Sequence, residues 1–283
     1  MSTKHVFCSF LLLLLVAFAT PATAQNATAA APLSIGQTFT IESKVLGETR
    51  RINVYRPQAY GQSADTPLPV LYMPDGGMQE DFLHVAGLLQ VGVGNETVRP
   101  FLLVGIENTE RRRDLTGPTT NPEDKKIAPR VGGSAAFRQF IRTELMPEIK
   151  RRYRTTDETA VVGESLAGLF VVETLLLEPT LFDTYLAFDP SLWWNSTQLV
   201  QQAAKQLAAY KGTPKTLFLA TSNEPQIVTD AGSLVKVLQA VGNRAVTWHY
   251  KPLPEETHGT IYHPAALLAF RAVLKPLKAS PAK

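Results

Sequence analysis

The segment that most constrains the fold of this chain is residues 163–168, Gly-Glu-Ser-Leu-Ala-Gly. It joins a β-branched apolar run to a longer apolar run typical of a buried helix, residues 169–177. A serine on such a strand-to-helix turn needs small residues two positions away on either side, because the backbone there is tight and strained. Gly163 and Ala167 meet this need, with alanine in place of the usual second glycine. The pattern predicts that the Ser165 hydroxyl stands above a sheet, in front of a helix N-terminus that favours negative charge.

Short apolar runs alternate with amphipathic stretches along most of the chain. The runs predicted as strands are residues 38–45, 50–55, 68–73, 101–105, 160–162, 185–188, 216–220 and 246–250. The main stretches predicted as helices are residues 82–89, 135–153, 169–177, 197–210, 230–241 and 264–274. This alternation predicts an α/β fold, with a mostly parallel central sheet and helices on both of its faces.

The first 24 residues have the features of a secretory signal peptide. Lys4 precedes an apolar run at residues 6–19, and Ala22-Thr23-Ala24 is a small-residue cleavage site. We therefore expect a periplasmic or secreted protein, cleaved after Ala24, in which residues 25–283 form a single catalytic domain. No later apolar run is long enough to span a bilayer, so we expect no integral membrane segment after cleavage. A formal net charge of only +3 argues against nucleic-acid binding.

A nucleophilic serine needs a histidine base, and in the α/β-hydrolase arrangement that histidine comes last in the chain. His258 follows the last predicted strand and precedes the closing helix, which is where this base belongs. His84 precedes the serine, and His249 lies inside a predicted strand. His263 stands at a helix start, where a capping or surface role is expected. We predict that His258 is the base.

The acid that orients this base should follow a strand between the serine and the histidine. Glu224 follows the penultimate predicted strand and is our first candidate. Asp189 follows the strand before it and is the competitor. Asp230 falls where a helix is predicted to begin, and an N-cap role suits it better.

An oxyanion hole needs two backbone N–H groups aimed at one point. Leu166, directly after the serine, should supply one of them. The other should come from the glycine-rich turn after the strand at residues 68–73, with Gly77 preferred and Met78 next. We expect no metal ion and no organic cofactor, because no cysteine or paired-histidine motif accompanies His258 and His263.

Residues 107–133 are charged and aperiodic, and they are too many for an ordinary connection. They predict a lid or a wall of the substrate cleft. Arg111, Arg112 and Arg113 in this segment are candidate contacts for an anionic substrate. The alternative is a solvated loop held together by local ion pairs.

Several motifs, in order, resemble the esterase D and enterochelin-type siderophore esterase family of α/β hydrolases. The resemblance covers about residues 38–274 and implies the α/β-hydrolase fold. It also implies a Ser165, Glu224 and His258 triad, and it places Trp193 and Trp194 near the substrate cleft, with core packing as their alternative role. The motifs that carry it are at residues 72–76, 106–109, 111–116, 163–170, 182–183, 189–194, 223–224 and 258–259.

The motifs and the resemblance together predict an exported serine carboxylic-ester hydrolase that forms an acyl-enzyme. Its partner would be a small-molecule ester, and siderophore-type esters are the leading substrate class. Two alternatives stay open. One is an acyltransferase to a sugar or other alcohol with the same triad, and the other is a catalytically silent binding protein on the same fold. The sequence does not indicate an oligomeric state.

Overall fold

The structure is a computed structural model that describes residues 30–63 and 65–276. The predicted signal peptide, residues 1–24, lies outside the described residues. The described residues from Ile35 onward form one compact unit. Within the described part of the chain, none of the helices combines the length and the apolar character that crossing a membrane requires.

Eight strands form a single sheet in the order β1-β2-β4-β3-β5-β6-β7-β8. β2 pairs antiparallel with both β1 and β4, and all other neighbouring strands are parallel. This confirms the predicted α/β class and the mostly parallel sheet. The strands are β1 (Gln37–Ser43), β2 (Glu48–Tyr55), β3 (Leu68–Pro74), β4 (Leu102–Ile106), β5 (Thr155–Glu164), β6 (Thr184–Phe188), β7 (Lys215–Thr221) and β8 (Val246–Pro252).

Apolar side chains on both faces of the sheet are buried, as expected for a parallel sheet covered by helices. In β3, Val70 and Tyr72 face one core, while Leu71 and Met73 face the other. α1 and α8 cover the second core, and the remaining long helices cover the first. The helices are α1 (Phe82–Gly94), α2 (Arg111–Asp114), α3 (Ser134–Phe140), α4 (Met146–Arg152), α5 (Leu166–Leu177), α6 (Gln198–Ala209), α7 (Pro225–Val241) and α8 (Tyr262–Val273).

Two helices differ from the sequence-based expectation. The helix predicted over residues 135–153 is interrupted by a π-helical segment, Ile141–Leu145. Pro147 follows this segment and cannot donate the backbone hydrogen bond of a regular turn, which accounts for the wider local winding. α7 begins at Pro225 rather than near Asp230, because proline is favoured in the first turn of a helix.

Candidate active site

The nucleophile candidate lies on a strained turn between β5 and α5. Ser165 has φ 60° and ψ −119°, a left-handed region that non-glycine residues rarely adopt. Its N–H donates to the Phe188 carbonyl of β6 at 3.0 Å, which ties the turn to the neighbouring strand. A Cβ at Gly163 would lie 2.6 Å from the Cβ of Ala167, so that glycine cannot be replaced without displacement. Alanine at 167 fits, and the missing second glycine leaves the turn intact.

His258 reaches the serine from the loop between β8 and α8. Its Nε2 lies 3.0 Å from Ser165 Oγ, and its Nδ1 lies 3.0 Å from Asp189 Oδ2. A carboxylate can only accept, so Nδ1 carries the proton and Nε2 presents its lone pair to the serine hydroxyl. The Asp189 hydrogen bond is the main cause that raises the pKa of His258 above its ordinary value.

Asp189 holds the other end of this chain of hydrogen bonds. It follows β6 with φ 41°, and its side chain is fully buried. Its Oδ1 accepts from the Ser222 N–H and its Oδ2 from the Ser222 hydroxyl, both at 2.5 Å. These two hydrogen bonds fix the buried carboxylate in place.

The expectation that Glu224 is bonded to His258 is corrected by this geometry. Glu224 is the exposed residue at the N-cap of α7, and among the described residues its side chain forms no hydrogen bond or ion pair. Its negative charge also raises the pKa of His258, but less than Asp189 and Glu164 do. Asp230 is not an N-cap either, because it lies within α7, buried, and accepts from Gln226 Nε2.

The two backbone N–H groups expected to form an oxyanion hole differ in whether a hydrogen-bond acceptor already occupies them. Leu166 is the first residue of α5, where a backbone N–H has no intrahelical acceptor. The Gly77 N–H already donates to Glu80 Oε2 at 2.7 Å. Glu80 Oε1 in turn accepts from the Asn108 side chain, so this carboxylate fixes the whole turn. The N–H of Met78, the next residue, has no acceptor among the described residues.

The three adjacent arginines have three different environments. Arg111 binds Asp75 through two parallel hydrogen bonds of 2.7 and 2.8 Å. Arg113 is held by a group of carboxylates on β2 and around α2. Arg112 is exposed and, within the described part of the chain, forms no ion pair. The partners of Arg113 are Glu48, Glu110 and Asp114.

These arginines line an open cavity of about 440 Å³ together with Ala128, Pro129 and Arg130. The cavity lies within the segment predicted as a lid, residues 107–133. That segment is anchored to the core at its middle, because Trp194 Nε1 donates to the Gly117 carbonyl at 2.9 Å. Trp194 is buried in the core, whereas Trp193 is only partly buried.

Sequence reasoning missed three side chains beside the Ser165–His258 pair. Glu164 Oε1 lies 3.3 Å from His258 Nε2, Ser191 Oγ lies 3.4 Å from Ser165 Oγ, and Ser222 holds Asp189. Glu164 is part of the turn motif itself, and Ser222 follows β7 directly. The signal that could have identified these three residues is their position at or after the ends of β5, β6 and β7, which are neighbouring parallel strands.

Comparison with known proteins places the chain in a family. Residues 43–262 match the family described as "Putative esterase". The chain belongs to this esterase family. It is 30% identical over 199 residues to ferri-bacillibactin esterase BesA of Bacillus subtilis, a match that covers 66% of the chain and 67% of the relative. It is also 30% identical over 185 residues to a siderophore triacetylfusarinine C esterase of Aspergillus fumigatus, covering 61% of each protein.

Two solved structures superpose on the esterase. An IroE-like serine hydrolase from Shewanella oneidensis is 30% identical, with a TM-score of 0.76 over 84% of the chain and 80% of the neighbour. A BES protein from Bacillus cereus shares the fold, with a TM-score of 0.74 at 22% identity over 86% of the chain and 97% of the neighbour. The α/β-hydrolase fold is therefore confirmed, and the protein is a serine carboxylic-ester hydrolase.

Among the described residues of the esterase, one group of side chains has the spacing of metal ligands. Glu164, Asp189 and His258 each offer a ligand atom within 4.8 Å of the others. Both nitrogens of His258 are already engaged, by Ser165 and by Asp189. The arrangement is suited to proton transfer between Ser165 and His258.

Proposed function

We propose that the protein hydrolyses esters through Ser165, His258 and Asp189, by way of an acyl-enzyme. The observation that carries this proposal is the unbroken chain of two 3.0 Å contacts from Ser165 Oγ through His258 to Asp189. The nucleophile Ser165, the orienting acid Asp189 and the base His258 follow each other in the chain in the order that the α/β-hydrolase arrangement requires.

In the first step, Ser165 Oγ attacks the ester carbonyl while His258 Nε2 takes its proton. Asp189 keeps the ring in the tautomer that presents Nε2 and stabilises the imidazolium that forms. His258 then gives the proton to the leaving alcohol. A water molecule repeats the sequence on the acyl-enzyme and returns Ser165 to its starting state.

The negative charge on the carbonyl oxygen would be stabilised by the Leu166 N–H and by one N–H of the Gly77–Met78 turn. Because Gly77 already donates to Glu80, Met78 supplies the second hydrogen bond in this proposal. Gly77 then contributes by its lack of a side chain. A Cβ there would lie 2.9 Å from atoms of both Glu80 and Glu107.

We infer that the substrate is a siderophore-type ester. Support comes from the relatives, which are named as esterases of ferri-bacillibactin and triacetylfusarinine C. Arg112 is the member of the arginine cluster best placed to meet an anionic group, because Arg111 and Arg113 are held by carboxylates. Trp193, which is partly exposed, is the aromatic candidate for a wall of the cleft.

We further infer export of the protein after removal of residues 1–24. The support is the charged, apolar and small-residue pattern of this segment. Mass spectrometry of the mature protein from cell fractions tests it. A mature N-terminus at Gln25 in the periplasm or medium is expected, and an intact Met1 terminus in the cytoplasm would contradict it.

Substrate class is tested by incubating the protein with a catecholate tri-ester siderophore, with and without iron, and with p-nitrophenyl acetate. Products are separated and identified by mass spectrometry. The proposal predicts cleavage of the tri-ester to its monomers at a kcat/KM well above that for the small ester. Cleavage of p-nitrophenyl acetate alone would leave ester hydrolysis standing and overturn the substrate assignment.

A further inference from the structure

The residue directly before the nucleophile carries an unusual carboxylate. Glu164 ends β5, and its side chain is only 15% exposed. Its Oε1 atom is buried and has no hydrogen-bond partner among the described residues. A buried polar atom without a partner is costly to a fold, and such atoms call for a functional explanation.

This oxygen lies beside the atom that moves the proton. Glu164 Oε1 is 3.3 Å from His258 Nε2, and Ser165 Oγ is 3.0 Å from the same nitrogen. Asp189 contacts the other ring nitrogen. The imidazole therefore lies between two carboxylates, one at each nitrogen.

We propose that Glu164 is a further catalytic residue, which stabilises the protonated imidazole of His258 from the side of Nε2 during proton transfer. This inference rests on the proposed function, because it assigns Glu164 a part in the same reaction.

Glu164 can act in this way because the charge of the imidazole changes during proton transfer. When Ser165 attacks, its O–H bond breaks, an Nε2–H bond forms, and the ring changes from neutral to positive. Neither Asp189 nor Glu164 gains or loses a proton. The attraction between Glu164 and the ring is therefore stronger in the transition state than before it, and only such interactions accelerate the chemical step. The proton then passes from Nε2 to the leaving alcohol, and the ring is neutral again.

The surroundings of Glu164 act on its charge in both directions. Burial opposes the charged carboxylate that this role requires and raises the pKa of Glu164 to about 8, while the nearby charges of His258 and Arg111 lower the pKa and favour the charged form. Asp189 and Asp75 are the other acidic groups that act on it, and they raise its pKa. On α8, burial raises the pKa of Tyr262, and the charge of Glu164 adds to that rise. Glu164 in turn contributes to the raised pKa of His258, after the Asp189 hydrogen bond.

The test compares Glu164→Gln with Glu255→Gln. Glu255 is an exposed residue of the loop that carries His258, so its variant makes the same charge change three residues from the histidine. We expect Glu164→Gln to lower kcat about 10- to 100-fold with KM within about twofold. We also expect its kcat/KM profile to reach half-maximum at a lower pH, because a carboxylate that raises the pKa of His258 has been removed. Glu255→Gln should match the wild type in both respects.

An unchanged pH profile for a folded Glu164→Gln would overturn the inference, whatever happens to kcat, because a purely structural role leaves the pKa of His258 in place. If that variant does not fold, Glu164→Asp gives the same test, since it keeps the charge but withdraws it from Nε2. For Glu164→Asp we expect a kcat below that of the wild type and a kcat/KM profile that reaches half-maximum at a lower pH. Wild-type values for both would overturn the inference. Failure of the proposed function is a separate result, because the wild-type protein would then hydrolyse no ester at all.

Discussion

His258 Nδ1 lies 3.0 Å from Asp189 Oδ2, although the two residues are 69 positions apart in the chain. Parallel strands β6 and β8 bring them to the same edge of the sheet, and the φ 41° turn at Asp189 directs its carboxylate toward the histidine loop. The same carboxylate receives two hydrogen bonds from Ser222. The pair is therefore ordered before any substrate arrives.

The identity of the orienting acid is the first prediction. Asp189→Asn should lower kcat by up to about 10⁴-fold, because the amide cannot favour the productive tautomer of His258. Glu224→Gln and Asp230→Asn should retain kcat within about twofold, since neither carboxylate bonds the ring. Steady-state kinetics on p-nitrophenyl acetate separate the three variants. A crippled Glu224 variant beside an active Asp189 variant would return the role to Glu224.

Ser165 and His258 should behave as one unit. Ser165→Ala and His258→Gln should each abolish most of the hydrolysis, and the double variant should be hardly worse than either, because members of such a unit are not additive. Circular dichroism should show an unchanged fold in all three. Multiplying losses in the double variant would mean that the two residues act independently.

The pH dependence follows from the raised pKa of His258. The base works only when its ring is neutral, so activity is lost as the pH falls through the pKa of the folded protein. With that pKa raised by the Asp189 hydrogen bond, the half-maximum of kcat/KM should lie above the ordinary value of about 6.5. Asp189→Asn should move it downward. A half-maximum at or below about pH 6.5 in the wild type would contradict this assignment.

Substitutions of Arg112 and of Arg113 should change different properties of the protein. Arg112→Gln should raise KM for an anionic ester and leave a small neutral ester unchanged, because Arg112 is exposed and has no ion partner within the described chain. Arg113→Gln should instead lower stability by about 1–3 kcal/mol, since the buried Asp114 loses a charged donor. Kinetics on both esters and thermal unfolding measure the two effects. Equal effects of both substitutions on KM would mean that neither contact is specific.

The glycine before the turn should be required for packing. Gly163→Ala would place a Cβ 2.6 Å from that of Ala167, and we expect it to destabilise the fold by about 1–3 kcal/mol. Gly87→Ala in α1 is the matched control. Its Cβ would meet nothing within 4 Å, and a helical alanine should stabilise by about 0.5–1 kcal/mol. Urea unfolding of the two variants should give opposite signs, and a neutral Gly163→Ala would show that the turn can relax.

The elements that the sequence predicts well are those encoded by local patterns. Each predicted strand has a counterpart in the sheet, because alternating apolar runs and turn residues are read directly from the chain. Ser165 lies on its predicted turn, and His258 lies on the predicted loop at hydrogen-bonding distance from it.

The acid could not be predicted in this way. Asp189 and Glu224 both follow parallel strands that end at the same edge of the sheet, so order along the chain does not separate them. Burial, the turn at Asp189 and the Ser222 hydrogen bonds separate them, and these exist only in three dimensions. The hydrogen bond of Gly77 could not be predicted either, because its N–H donates to the side chain of Glu80, three residues later in the chain.

The most direct test of the account is covalent labelling with a fluorophosphonate probe, followed by peptide mass mapping. We predict a single adduct on the peptide that contains Ser165, formed much more slowly in His258→Gln and Asp189→Asn and absent in Ser165→Ala. An adduct on another residue, or labelling of Ser165 at an unchanged rate in both the His258 and the Asp189 variants, would contradict the account.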